Sequence, residues 1–316
     1  MNDALAPWQA RTLAQAVEAL DSGRMGHALL LCGPPRMGKR AVADRLAAHV
    51  LGTARDARAA ALVAAGTHPD LHLLGLEFNK EGTRLRTEIV IDQIRALSGK
   101  LSLTPQYGGA QVAIVDPADA INHAACNALL KTLEEPQPGR YLWLLAADPA
   151  RLPATIRSRC QRLEFRLPPR DEALAWLQGQ GHAAAAAINA LDATRGHPGL
   201  ADAWLRDGGI ELRREVAADL ASLAKGAASA LETAQRWAAD DSAADRLRHA
   251  ADLALAEASG LTDPMRIRKL AHWFDAANRT RGLLRTTVRA DLAIVELLLD
   301  WCGDAHQAAT GTRGSR

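Results

Sequence analysis

The sequence predicts an α/β domain built on a mostly parallel sheet, followed by an all-helical C-terminal half. Three observations carry this. Short apolar runs alternate with helix-length amphipathic stretches through the first half, the pattern of βαβ units with helices on both faces. After Leu167-Pro-Pro-Arg170 no strand pattern returns through Trp301, and the chain is rich in Ala, Leu, Arg and Glu at helical period. Of the 316 residues 48% are hydrophobic but only 4% aromatic, which favours alanine-rich helices over an aromatic β-sandwich.

Each element has a local reason. Ala28–Cys32 is a short apolar run ending in Gly33-Pro-Pro, a buried strand followed by a turn. Lys39–Leu51 is helical, with Val42, Leu46 and Val50 on one face. Asp70–Leu74 is the next strand. Ile89–Leu103 is helical through Ile91, Ile94, Leu97 and Leu101. Gln111–Asp116 is a strong strand ending in a carboxylate, and Asn122–Glu135 is a helix stopped by Pro136. Tyr141–Leu145 and Arg162–Phe165 complete the strands. The helical half breaks at Gly179–Gly181, Gly196–Gly199 and Gly208-Gly209. Domain boundaries are expected near 167 and 207, and 305–316, with two glycines and no apolar period, reads as a flexible tail.

Composition excludes several classes. With 38 basic against 36 acidic residues the net charge is +2, so the chain is not a polybasic coat for nucleic acid, although local DNA contact stays open. The four cysteines, Cys32, Cys126, Cys160 and Cys302, form no C-x-x-C pair, against a disulfide framework or a four-thiolate zinc site. The N-terminus lacks a signal-peptide pattern, and no apolar run approaches the roughly 20 residues of a membrane span. A soluble protein of the reducing intracellular compartment is expected.

Gly33-Pro-Pro-Arg-Met-Gly-Lys-Arg40 fits G-x-x-x-x-G-K between a strand and a helix, the context of a phosphate-binding loop. Backbone N–H groups and the helix dipole would face phosphate oxygens, with Lys39 reaching the β/γ-phosphates. Arg40 stands where a Ser or Thr hydroxyl would bind Mg²⁺; with five donors and no acceptor it cannot ligate a metal. The nucleotide-binding candidates are Gly33, Gly38, Lys39 and Asp116, holding a non-hydrolysed nucleotide or phosphate; a ligand-free glycine turn is the alternative. Asp116 is either a metal-binding carboxylate or an N-cap or turn carboxylate at a strand end, and it is followed by Pro117 where a water-orienting Glu would stand. Asp119 lies too far along to replace it.

Asn127-Ala-Leu-Leu-Lys-Thr-Leu-Glu-Glu-Pro136 and Leu152-Pro-Ala-Thr-Ile-Arg-Ser-Arg-Cys160 resemble hallmark segments of the clamp-loader branch of AAA+ proteins. Gly26-His-Ala-Leu-Leu-Leu31 and Gly66-Thr-His-Pro-Asp70 bring the resemblance to the delta-prime family of bacterial DNA polymerase III, over roughly residues 7–200. The resemblance implies a RecA-like AAA+ domain over 1–167, a small helical lid over 168–207 and a helical collar over 208–304. It implies a subunit that does not hydrolyse ATP itself. It would sit in a hetero-pentameric ring with the motor subunit (tau/gamma) and the delta subunit, loading a sliding clamp onto primed DNA. Such a chain is an accessory to a DNA-directed DNA polymerase, a nucleotidyltransferase, without polymerase activity of its own, and is cytoplasmic. Carried over, Arg159 is an arginine finger offered in trans to the neighbour's ATP; an ordinary salt bridge is the alternative. Ser158 and Cys160 set the turn and pack beneath it, and Arg157 is the control.

Departures from the active pattern agree with a retired site. Ala146-Ala147 stand where motor subunits carry a polar sensor, and Gly199 replaces the expected sensor arginine. The family often carries a four-cysteine zinc module after the first helix, but 51–65 holds no cysteine, and His49 and His68 alone cannot complete a tetrahedron, so no zinc is expected. Glu134 and Glu135 read as a solvated helix end or an interface. Met265-Arg-Ile-Arg-Lys269 reads as a solvated basic face or a DNA or subunit contact. Leu129, Leu130 and Leu133, with Trp143, Trp176 and Trp204, read as packing residues. Two rivals remain: an active AAA+ motor or related ATPase, favoured by Gly33, Gly38 and Lys39, and a scaffold without a finger.

Overall fold

The computed structural model describes residues 4–79, 81–107, 109–284, 286 and 288–311. Five strands, β1 (Ala28–Cys32), β2 (Leu71–Leu74), β3 (Gln111–Val115), β4 (Arg140–Ala146) and β5 (Gln161–Glu164), form one parallel sheet of order β2-β3-β4-β1-β5. All five lie within a residue or two of the expected runs. The first unit also holds α1 (Pro7–Asp21), α2 (Lys39–Val50), α3 (Ala57–Ala64), α4 (Ile91–Leu101), α5 (His123–Glu134), α6 (Ala154–Arg157), α7 (Arg170–Gly179) and α8 (Ala184–Ala193).

Strand periodicity divides the core in two. Because alternate side chains point to opposite faces, Leu30, Cys32, Ala113, Val115 and Leu144 lie on one side of the sheet, beneath α4 and α5. Leu29, Leu31, Val112, Ile114, Trp143 and Leu145 lie on the other, with Trp8 of α1 and Val42 and Leu46 of α2. Every residue of β1 and β3 is buried, the mark of central strands covered on both faces. α1 was not among the expected elements, although Pro7 at its first turn and Gln9 accepting the Ala6 N–H (3.0 Å) signal a helix start. α3 occupies the 51–65 segment, started by Asp56 accepting the Arg58 and Ala59 N–H groups.

The chain divides into two compact units, Met1–Asp202 and Ala203–Arg316. α7 and α8, which follow the change of secondary structure near 167, fall inside the first unit. α14 (Ala290–Gly311) runs as helix into 305–311, and 312–316 lie outside the described residues. A segment lacking an apolar stripe can still extend an established helix, since propagation is far cheaper than nucleation.

α9 (Pro198–Arg206) crosses the division, and the second unit is otherwise α10 (Gly209–Ala224), α11 (Ala230–Ala238), α12 (Ala243–Ser259), α13 (Pro264–Leu283) and α14. Its core joins Val216, Leu220, Trp237, Leu247, Trp273, Leu298 and Trp301. Each indole N–H there has an acceptor: Trp237 to Asp219 Oδ2 (2.8 Å), Trp273 to the Leu297 carbonyl (3.0 Å) and Trp301 to the Leu220 carbonyl (3.0 Å). Trp237 is fully buried, so Trp237→Ala is expected to destabilise this unit by about 3–5 kcal/mol, read as a lower denaturant midpoint. Met265 is exposed at the start of α13. Among the described residues no helix is long and apolar enough to cross a membrane.

Candidate functional site

The glycine loop joins the C-terminal end of β1 to the N-terminus of α2, as the motif requires. Gly33 and Gly38 have φ of 135° and 83°, and a Cβ on Gly38 would overlap the Gln9 side chain. The loop is held by the chain's own groups. Trp8 Nε1 and Gln9 Nε2 both donate to the Met37 carbonyl (3.2 Å each). From the other flank His197 Nε2 donates to the Pro35 carbonyl (2.8 Å). His197 Nδ1 accepts the Leu200 N–H (3.1 Å), which fixes the neutral tautomer with its proton on Nε2. Burial pulls the His197 pKa down, and Lys39 and Arg36 add to that against the backbone bonds.

Lys39 folds onto the loop it belongs to, Nζ donating to the Gly33 and Pro34 carbonyls (2.6 and 2.8 Å). Its pKa is lowered by burial, opposed first by Asp116 and then by Asp119. Arg40 Nε donates to Asp44 Oδ1 (2.7 Å), and its Nη1 lies 3.7 Å from Asp116 Oδ2. A guanidinium thus stands beside the carboxylate that would otherwise share a metal. Burial raises the Asp116 pKa, opposed by Arg40 and Lys39. The short turn after it has no side-chain cap, so Asp116 is an ion-pair carboxylate and not the N-cap considered from sequence.

The remaining catalytic positions are occupied by structural bonds. Asp119 Oδ2 accepts the Ala147 and Asp148 N–H groups (3.2 and 2.9 Å), tying the turn after β3 to the end of β4, so it is not free to act as a base. Gly199 lies against the glycine loop, where any Cβ would overlap the Arg36 carbonyl. No arginine side chain fits at 199 without displacing that loop. Trp8, Gln9 and His197 are the residues that sequence reasoning missed, since nothing in their spacing shows that they meet at Met37 and Pro35. Among the described residues no three His, Cys, Asp or Glu side chains converge as a metal site.

Arg159 lies far from this loop. It follows α6 and precedes β5, whose first residue, Gln161, pairs with Leu29 near the start of β1, so Arg159 lies toward the N-terminal end of these strands. Gly33 follows the end of β1. The four residue steps from Leu29 to Gly33 alone span about 13 Å of strand. Arg159 is exposed, with Nη2 2.7 Å from Glu134 Oε1 and Nη1 donating to the Thr155 carbonyl (3.0 Å). Arg157 is half-buried, its Nε enclosed. Ser158 Oγ donates to the Thr155 carbonyl (3.3 Å), and Cys160 is buried, its thiol pushed up to about 11 by that burial. Such a thiol is a packing group and not a nucleophile.

With this geometry in place, comparison with known proteins decides the family. The profile described as "DNA polymerase III, delta subunit" matches residues 8–169. The chain is 37% identical to the DNA polymerase III subunit delta' of Pseudomonas aeruginosa over 242 residues, 73% of this chain and 70% of that one. The chain belongs to the delta-prime family of DNA polymerase III. The Escherichia coli delta' subunit is 33% identical over 223 residues, 68% of this chain and 65% of that relative. Among solved structures, a gamma subunit-related protein of Thermotoga maritima aligns with a TM-score of 0.48 at 17% identity, covering 93% of this chain and 99% of that one. Within this delta-prime chain the α/β architecture predicted from sequence stands: a five-stranded parallel sheet with helices, and a helical C-terminal region.

Proposed function

We propose that this chain acts as the delta-prime subunit of a clamp loader, non-hydrolysing itself and presenting Arg159 to nucleotide held by a neighbouring motor subunit. The single observation that carries this is the level of Arg159 in the sheet. An arginine in the exposed turn between α6 and β5, at the end of the strands opposite its own glycine loop, cannot serve that loop and is available to another. A guanidinium so placed stabilises charge developing on transferring phosphoryl oxygens. The glycine loop itself is read as a fixed structural joint. Its lysine is bonded to its own carbonyls, its metal position is filled by Arg40, and its flanks are held by Gln9 and His197. These occupied positions speak against the active-motor rival.

In the assembly the reading implies a hetero-pentameric ring with tau/gamma and delta, acting with a sliding clamp and primed DNA, and three functional parts over 1–167, 168–207 and 208–304. Any phosphate at the glycine loop would first have to draw Lys39 from the Gly33 and Pro34 carbonyls. The test is clamp- and DNA-stimulated ATP turnover of the reconstituted complex carrying Arg159→Ala in this subunit; unchanged turnover overturns the proposal.

Glu134 supplies a second check. The Arg159–Glu134 pair is exposed and contributes at most about 1 kcal/mol to stability. Glu134→Gln is therefore expected to leave the melting temperature within a few degrees of the parent. Because the carboxylate competes with phosphate for the same guanidinium, turnover of the complex at limiting nucleotide should rise, by up to about fivefold. A fall in turnover would instead make Glu134 part of the interface that seats Arg159.

A further inference from the structure

Two cavities lie at the N-terminal ends of the strands, the end opposite the glycine loop. One, of about 390 Å³, is lined by Ser98, Lys131, Thr132, Gln137 and Arg140. Several of its polar groups are already matched, and none of its lining atoms is among the buried side-chain atoms without a partner: Arg140 donates to the Leu101, Leu103 and Pro138 carbonyls, and Ser98 bonds Thr132. The other, of about 430 Å³, is different. It opens where the 66–69 turn enters β2 and where β3 begins, and it holds buried polar atoms without partners.

His68 is 2% exposed and Gln111 is 3% exposed. His68 Nδ1 accepts the Asp70 N–H (3.1 Å), so in the neutral ring the proton sits on Nε2. That Nε2–H is buried with no acceptor. The ring is braced by Tyr107, the centroids 4.8 Å apart. Gln111 Oε1 and His72 Nε2 are likewise buried and unpartnered on the same cavity. Leaving such atoms dry costs about 1–3 kcal/mol each, so three together call for an occupant.

The identity of the groups decides what fits. His68 can only donate. His72 can present either tautomer, and the Gln111 amide can turn to offer its NH₂. Lys100 is the one charged side chain lining the cavity among the described residues. Asp70, fully buried beside it, is engaged by the Gln106 and Tyr107 N–H groups (2.8 and 2.9 Å), which fixes the backbone walling the site. A metal is disfavoured, because Nε2 of His68 carries a proton and no carboxylate lines the cavity. Three potential donors and an ammonium suit an oxyanion. A cavity of this size takes a small molecule.

We propose that this pocket binds a small oxyanion, a phosphate or carboxylate group held by His68, His72, Gln111 and Lys100, independently of the glycine loop. The test titrates the full chain with inorganic phosphate and, separately, acetate, following histidine ring ¹⁵N resonances. Lys39→Ala serves as the background that disables the glycine loop. Saturable shifts confined to His68 and His72, persisting in Lys39→Ala and weakened about tenfold by Lys100→Met, are expected. Lys100 is exposed near the end of α4, so its replacement leaves the fold intact. His72→Phe should weaken binding similarly. Phosphate binding stronger than acetate binding assigns a phosphate ligand, and the reverse order a carboxylate. Shifts abolished by Lys39→Ala and unaffected by Lys100→Met would move the anion to the glycine loop and overturn the proposal. No binding of either probe would overturn it as well.

Discussion

Arg159→Ala in this subunit is expected to depress stimulated ATP turnover of the reconstituted clamp loader by a large factor, while Lys39→Ala changes it little. In other NTPases a trans arginine contributes about 10³–10⁵ in rate, so even one silenced site among several should be visible in single-turnover kinetics. The asymmetry between the two variants is the informative part. Lys39 donates to the Gly33 and Pro34 carbonyls and its removal disturbs one loop, whereas Arg159 is exposed at the other end of the sheet. Arg157→Ala, two residues away and half-buried, controls for a general disturbance of α6 and should cost stability more than turnover. Should Lys39→Ala be the damaging change, the glycine loop is live despite Arg40, and this chain is a motor.

The second unit is expected to lose stability steeply in mild acid through His249. This imidazole is fully buried on α12, neither ring nitrogen has a hydrogen-bond partner, and the ring meets Trp204 edge-on at 4.4 Å. Burial pulls its pKa down to about 3, and the positive charges of Arg248 and Arg213 push the same way. Both guanidinium carbons also lie within 6 Å of the Trp204 ring, at 5.9 Å for Arg213 and 5.6 Å for Arg248. The sign follows directly. Between about pH 6.5 and pH 3 the unfolded chain binds a proton that the folded chain refuses, so stability is full above the unfolded pKa and falls as pH drops. The slope is about 1.4 kcal/mol per pH unit from this one group. Denaturant midpoints measured from pH 7 to pH 4 should show it, and His249→Phe should flatten the profile. A wild-type profile flat over that range would show that His249 titrates normally.

The strands and principal helices of the first unit were legible because each carries its own signal. Ala28–Cys32 and Gln111–Val115 are unbroken apolar runs, as central parallel strands must be, and Asn122 and Pro136 bracket α5. The surroundings of the glycine loop were only half legible: Arg40 shows in the sequence, but its approach to Asp116 does not. Reading Asp116 as a cap failed because a cap and an ion pair leave the same residue at the same strand end.

By itself the sequence determined the alternation of strands and helices, the glycine loop without a metal-binding hydroxyl, and the family. These are local properties, set by periodicity, turn residues and the chemistry of single side chains. Only the tertiary structure decided that Arg159 and the glycine loop stand at opposite ends of one sheet, since that depends on the register of β5 against β1. Only it brought Gln9, His197 and Gly199 onto one loop, and His68, His72 and Gln111 onto one cavity. Long-range packing of helices and strands sets those meetings, and separations of 28 and 162 residues, as between Gln9 and Met37 or His197 and Pro35, leave no trace in local pattern.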